Sequence, residues 1–202
     1  MTLMSRFAVA TAAAFFTLAA HAAPKVGEAA PAFSLPGHDG KTHALADFKG
    51  KTVVLEWTNA ECPFVKKHYA GNMQALQKTY TGKDVVWLSI NSSAPGKQGH
   101  VDAAGATKIV KDKGAAPTLV LLDGNGKVGK AYDAKTTPHL YVIDKAGTLV
   151  YAGGIDSNPS ADPADIPGAT PYVKNALDEV LAGKPVTTAV TKPYGCSIKY
   201  GS

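Results

Sequence analysis

Arginine is almost missing from this chain of 202 residues: Arg6 is the single example, and every later fixed cation is a lysine. Bidentate guanidinium grips on phosphate or carboxylate groups are therefore excluded beyond the first few residues. The lysines are scattered, with no basic cluster interleaved with aromatics, so nothing resembles a nucleic-acid footprint and no nucleic-acid partner is expected. No glycine-rich phosphate loop occurs, and no organic cofactor is implied. There are no internal repeats and no apolar run of comfortable membrane-spanning length. Cysteine is scarce: Cys62 and Cys196 are the only two, far apart in the chain, with no C-x-x-C pair. In an oxidising compartment an even pair is expected to bond. The formal net charge of +5 bears on solubility and on nothing sharper.

What is present begins with an export signal. Arg6 precedes the apolar stretch Phe7 to Ala20, and Ala20-His21-Ala22 has the small-x-small pattern of a signal-peptidase site. Residues 1–22 read as a signal peptide, and an uncleaved anchor is the alternative. The expected product is periplasmic or secreted and has no membrane partner once the signal is removed. Loss of Arg6 takes the formal charge from +5 to +4. Residues 23–202 fit one domain with a single core, of which 186–202 form a tail of little periodicity that carries Cys196.

The most informative stretch runs from Lys51 to Tyr69. Val53-Val54-Leu55, with Trp57 close behind, reads as a buried strand, and Thr58 to Glu61 as a polar turn. Cys62 then stands immediately before Pro63, and proline favours the first position of a helix. Cys62 is thus placed at a helix N-cap at the carboxyl end of a strand, where free amides and the macrodipole favour a thiolate. Lys66 and Lys67 would assist if they face it, while Glu61 opposes them. Two bland readings remain open beside an attacking thiolate: an inert buried cysteine, or half of a permanent structural disulfide. Val65, Tyr69, Met73, Leu76 and Tyr80 recur at helical spacing, which predicts one helix with one buried stripe and with Lys66, Lys67 and Gln74 on other faces.

Further along, Asp84 to Ile90 and Thr118 to Leu122 read as strands. Gly96 to Lys113 reads as weakly helical, and Val128 to Tyr132 as a short helix. His139 to Ile143 and Thr148 to Ala152 form a hairpin around Asp144-Lys145-Ala146-Gly147. Asp156 to Pro171 reads as a long surface loop, and Tyr172 to Ala182 as the last helix, stopped by Gly183 and Pro185. Strands alternating with helices, then a hairpin and a closing helix, predict a three-layer α/β fold with a mixed central sheet.

Several pieces resemble one known family. These are Pro31-Ala32-Phe33-Ser34-Leu35, Leu45 to Lys51, the strand running into Cys62-Pro63, and Thr137-Pro138 before the hairpin. The mature chain resembles thioredoxin-fold redoxins of the group that includes the alkyl hydroperoxide reductase/thiol-specific antioxidant proteins and the TlpA-like thiol oxidoreductases. It is most similar to a peroxiredoxin-like subfamily with an N-x-x-C-P-F-V-x-K-H-Y motif, here Asn59 to Tyr69, and a G-C-S-I-K-Y tail, here Gly195 to Tyr200. The resemblance implies a thioredoxin-like fold with an N-terminal extension and a C-terminal tail.

It also implies thiol–disulfide exchange on a protein or small-molecule thiol or disulfide, with a periplasmic reductant. Cys62 is then the nucleophile and Cys196 the resolving thiol, delivered by a flexible tail, and the two sulfurs are expected to meet. A structural staple is the alternative for the pair. Thr137-Pro138 resembles the cis-proline loop facing the redox cysteine, the alternative being a plain strand-entering proline. Glu56 falls where thioredoxins keep a buried proton acceptor, the alternative being a solvated edge glutamate. The departures disfavour a standard antioxidant peroxidase. Asn59 stands where peroxiredoxins carry Thr or Ser, the polarising arginine is missing, and Val65 occupies the second C-x-x-C position. No metal is expected; the weak alternative of copper or zinc handling would draw on Cys62, His68, Cys196 and His139.

Overall fold

The computed structural model describes residues 23–201; the expected signal peptide over residues 1–22 lies outside the described residues. In chain order the elements are β1 (Ser34–Pro36), β2 (Thr42–Ala44), β3 (Thr52–Trp57), α1 (Pro63–His68), α2 (Asn72–Thr81), β4 (Val85–Asn91), α3 (Ala103–Lys113), β5 (Leu119–Leu122), α4 (Lys127–Ala131), β6 (Thr136–Thr137), β7 (His139–Ile143), β8 (Leu149–Gly153), α5 (Tyr172–Leu181) and β9 (Cys196–Ser197). No helix among them is long and apolar enough to cross a membrane.

Five strands form the central sheet in the order β5-β4-β3-β7-β8. β3, β4 and β5 run parallel, whereas β7 and β8 pair antiparallel on the other side of β3. β3 is buried along its whole length, and its side chains part by strand alternation. Val53, Leu55 and Trp57 enter one core, with Leu88, Ile90, Leu121, Tyr132 and Tyr141. Val54 joins the other core, with Met73, Trp87, Leu140, Val173 and Leu177. The sheet therefore sits between α2 and α5 on one face and the β1–β2 hairpin, α4 and the tail on the other, the three layers of a thioredoxin-like α/β fold. α5 turns Val173, Ala176 and Leu177 inward, at the helical spacing that defines its apolar stripe.

Local chemistry sets the boundaries. Asp102 caps α3, its carboxylate accepting from Gly105 N at 2.7 Å, and Gly114 closes that helix in the left-handed region at φ 58°. The weakly helical expectation for Gly96 to Lys113 is thus met only from Ala103. The single helix expected after Cys62 is two: α1 stops at His68 and α2 restarts at Asn72, with Gly71 between them at φ 133°. The buried stripe of α2 is Met73, Gln77 and Tyr80. Two other expectations change. Asp156, expected on a surface loop, is buried, and so is Lys67, expected off the buried stripe, together with the neighbouring His68. Each finds polar partners inside, as burial of such groups demands.

Candidate functional site

The turn after β3 is held by Asn59. Its Oδ1 accepts from Glu61 N at 2.9 Å and its Nδ2 donates to Gln98 O at 3.3 Å. Its amide also covers Gly99, where a Cβ would come within 2.1 Å of Asn59 Oδ1. Cys62 N donates to Asn59 O at 3.0 Å, which sets Cys62 at the N-cap of α1 with Pro63 as the first helical residue. The Cys62 side is sealed, with 0% exposure.

The second sulfur arrives on the tail. β9 pairs antiparallel with β6, Cys196 opposite Thr137 and Ser197 opposite Thr136. The Thr137–Pro138 peptide is cis. Gly195 makes the approach possible: it holds φ 130°, and a Cβ there would stand 2.1 Å from Thr137 O. Cys62 Sγ lies 2.7 Å from Cys196 Sγ and 3.1 Å from Thr137 O. A thiol has one proton, so Cys62 serves one of these acceptors at a time. The two sulfurs are close but not bonded in this structure; a disulfide needs a separation of about 2.05 Å. The pair shares its protonation unevenly. Burial resists ionisation of Cys62, yet once it ionises the Cys196 thiol and then the Val65 amide donate to the thiolate, and they bring its net pKa below the ordinary 9.0. Burial pushes the Cys196 thiol up to about 11, and the neighbouring Cys62 adds to that rise.

The tail, expected to be flexible, is fastened on both sides of Cys196. Before it, Tyr194 sets its ring edge-on to Phe64 and donates to Asp156 Oδ1. After it, Ile198 is buried in the first core and its amide donates to Lys135 O at 3.1 Å. Lys199 O accepts from Ala94 N at 2.9 Å, and Tyr200 donates to Ala134 O at 2.8 Å while its ring covers Gly126 and Gly129. The anchors are single residues on an extended chain, so no periodicity announces them.

Glu56 is fully buried behind α1. Trp87 Nε1, Ser89 Oγ and Gln77 Nε2 donate to its Oε2 at 2.7, 3.0 and 3.2 Å, and Tyr69 OH to Oε1 at 2.9 Å. Burial raises its pKa, and these donors pull against that rise. The carboxylate thereby ties the end of α1, α2 and β4 together, an arrangement unlike the solvated edge glutamate held as its alternative.

A second buried polar cluster, unforeseen in the sequence, joins α1 to the tail. Lys67 is 1% exposed; its Nζ donates to Asn158 O at 2.9 Å, lies 3.9 Å from Asp156 Oδ2 and stands 5.5 Å from the Tyr194 ring centroid. Asn72 Nδ2 donates to His68 Nδ1 at 2.9 Å, so the ring proton sits on Nε2, 2.9 Å from Tyr194 OH. Burial, partly offset by Asp156, lowers the His68 pKa to about 4, so the ring is neutral at pH 7. Asp156 Oδ2 has no hydrogen-bond partner. The proposed help from the lysines does not assemble, because Lys67 turns into this cluster and Lys66 is exposed. Lys67 and His68 on α1, Asp156 after β8 and Tyr194 on the tail make the cluster, and no local motif marks stretches so far apart.

The weak metal alternative does not gather its ligands either. His68 is spent as described, while His139 packs 4.5 Å from Tyr141 and accepts from Lys135 N at 3.3 Å. Among the described residues no three His, Cys, Asp or Glu side chains come together as a metal site.

Comparison with known proteins gives the family. The chain is similar to chloroplastic peroxiredoxin Q of Triticum aestivum, 31% identical over 134 residues that cover 62% of this chain and 57% of the relative. It is also 31% identical, over 118 residues, to the thiol-disulfide oxidoreductase ResA of Geobacillus thermodenitrificans, covering 52% of this chain and 67% of that one. The chain thus spans little more than half the length of its peroxiredoxin Q relative. The crystal structure of an uncharacterised conserved protein from Geobacillus kaustophilus superposes with a TM-score of 0.77 at 31% identity, covering 88% of this chain and 93% of that one. The sequence profile of the Redoxin family matches residues 25–169, through the sheet, α1 and the cis-proline loop alike. The chain belongs to the Redoxin family, as a thioredoxin-fold, peroxiredoxin-like member.

Proposed function

We propose that this protein is an exported thiol–disulfide oxidoreductase whose redox pair is Cys62 and Cys196. One observation carries the reading: Cys62 Sγ at the N-cap of α1 and Cys196 Sγ on the tail lie 2.7 Å apart beside the cis Thr137–Pro138 peptide. In the reduced protein Cys62 is the sulfur that ionises first, since its pKa is lowered while that of Cys196 is raised. Its substrate is a protein or small-molecule thiol or disulfide, and an extracytoplasmic reductant closes the cycle. Similarity to a relative named as a thiol-disulfide oxidoreductase supports the chemistry. Glu56 is the proton acceptor in this reading, its pKa raised by burial; an unchanged pH profile of exchange in Glu56→Gln would remove it from that role.

Similarity to peroxiredoxin Q favours a peroxidase as the second reading. Three features weigh against efficient peroxide turnover. Asn59 spends its side chain on Glu61 and Gln98, Val65 is a buried apolar residue, and residues 23–201 contain no arginine to polarise a peroxide. The deciding experiment compares turnover of a dithiol with a disulfide substrate against turnover with hydrogen peroxide. Disulfide-linked turnover that disappears in both Cys62→Ser and Cys196→Ser supports exchange. Peroxide turnover that persists in Cys196→Ser would favour the peroxidase.

A further inference from the structure

Building on the exchange reading above, we propose that Cys196, not Cys62, is the sulfur attacked when the oxidised pair meets a thiol, so that the mixed disulfide forms on the tail. The resemblance makes Cys62 the attacking nucleophile of the reduced protein and Cys196 its resolving thiol; it does not say which sulfur of the oxidised pair an incoming thiol attacks. Access decides the matter. Cys62 has no exposed surface, whereas Cys196 is partly exposed. Cys62 Sγ meets Cys196 Sγ on the tail and Thr137 O beside it, and the tail is fastened at Tyr194 on one side and at Ile198 and Tyr200 on the other. The backbone edge of Thr137 is also taken, since β9 pairs there. A thiol arriving from solvent therefore reaches the Cys196 side first, where exposed Ser197 follows on the same strand.

The chemistry suits that direction of attack. The incoming thiolate forms a bond to Cys196 Sγ as the Cys62–Cys196 bond breaks, and the electron pair leaves on Cys62 Sγ. Departure is faster for a thiol of lower pKa, and Cys62 is the one lowered. With a dithiol reductant, its second thiolate then attacks the sulfur already bonded to Cys196. The reductant leaves as a disulfide, and Cys196 departs as a thiolate and takes a proton. Two electrons and two protons pass from the dithiol to the cysteine pair. With a monothiol, the Cys62 thiolate instead attacks Cys196 Sγ, expels the thiol and restores the pair.

The test uses the oxidised full chain without substitutions. It is mixed with excess glutathione, quenched in acid at the earliest accessible times and mapped by peptide mass. Glutathione is expected on the peptide carrying Cys196, exceeding that on the Cys62 peptide more than about tenfold, with Cys62 free. Adducts mainly on Cys62 would overturn this assignment and leave the exchange reading standing. A pair that stays bonded, with no adduct on either peptide over hours, would overturn both.

Discussion

Two sulfurs in contact are not equivalent, and the difference lies in what each is bonded to. The ionised Cys62 receives hydrogen bonds from the Cys196 thiol and the Val65 amide that outweigh its burial, whereas burial and the neighbouring sulfur act together on Cys196. The reduced protein is expected to ionise in two steps, read from thiolate absorbance in the ultraviolet: the first below pH 9.0 and the second at about 11. The steps belong to the pair. Cys196→Ser and Cys62→Ser should each remove one of them. A single two-thiol step near the ordinary value would mean that the sulfurs do not share a proton. Cys62 was legible at this scale, because a cysteine before a helix-starting proline carries its own local signal. Glu56 was legible only by resemblance: a charge at the end of an apolar strand says nothing of Trp87, Ser89, Gln77 and Tyr69, which come from β4, α2 and the end of α1.

Among the elements, one of the two shortest matters most. β9 holds two residues, yet its pairing with β6 brings Cys196 to the helix N-terminus. Gly195 is the permissive position, because φ 130° and a Cβ 2.1 Å from Thr137 O both forbid a larger residue. Gly195→Ala should lift β9 from β6, at a strain of roughly 1–3 kcal/mol if it stays. Its disulfide should then be reduced at a lower ratio of reduced to oxidised glutathione than the parent's, measured by alkylation and mass. An unshifted ratio would mean that the β6–β9 pairing does not hold the cysteines together. The strands of the central sheet could be read in sequence because each is a continuous apolar run closed by a turn. The tail could not, because Tyr194, Ile198 and Tyr200 each depend on a hole made elsewhere. The break between α1 and α2 was hidden for a related reason: the apolar spacing continues through Gly71, and only its backbone angle shows the interruption.

For the molecule as a whole, buried neutral histidines couple stability to acidity. Burial holds His68 and His139 at a pKa of about 4 in the folded chain, against 6.5 as the ordinary value. Between those values the unfolded chain binds protons that the folded chain does not, so stability is full above about pH 6.5 and is lost as pH falls toward 4. At its steepest the loss is roughly 1.4 kcal/mol per pH unit for each ring. Urea unfolding midpoints should drop between pH 7 and pH 5, and less so in a His68→Gln variant that still folds. Midpoints that stay level would mean that neither ring is held neutral. The mixed three-layer architecture was legible at this scale from the order of strands and helices, whereas the Lys67, His68, Asp156 and Tyr194 cluster required the loop after β8 and the tail to meet over α1.

The central claim is that the Cys62–Cys196 bond is made and broken in use, and its reduction potential tests this most directly. The full chain, equilibrated against glutathione and dithiothreitol with the thiol count read by alkylation and mass, should give a potential above roughly −250 mV, the range of exchanging pairs. A value below roughly −300 mV is that of a structural staple and would contradict the thiol-exchange function.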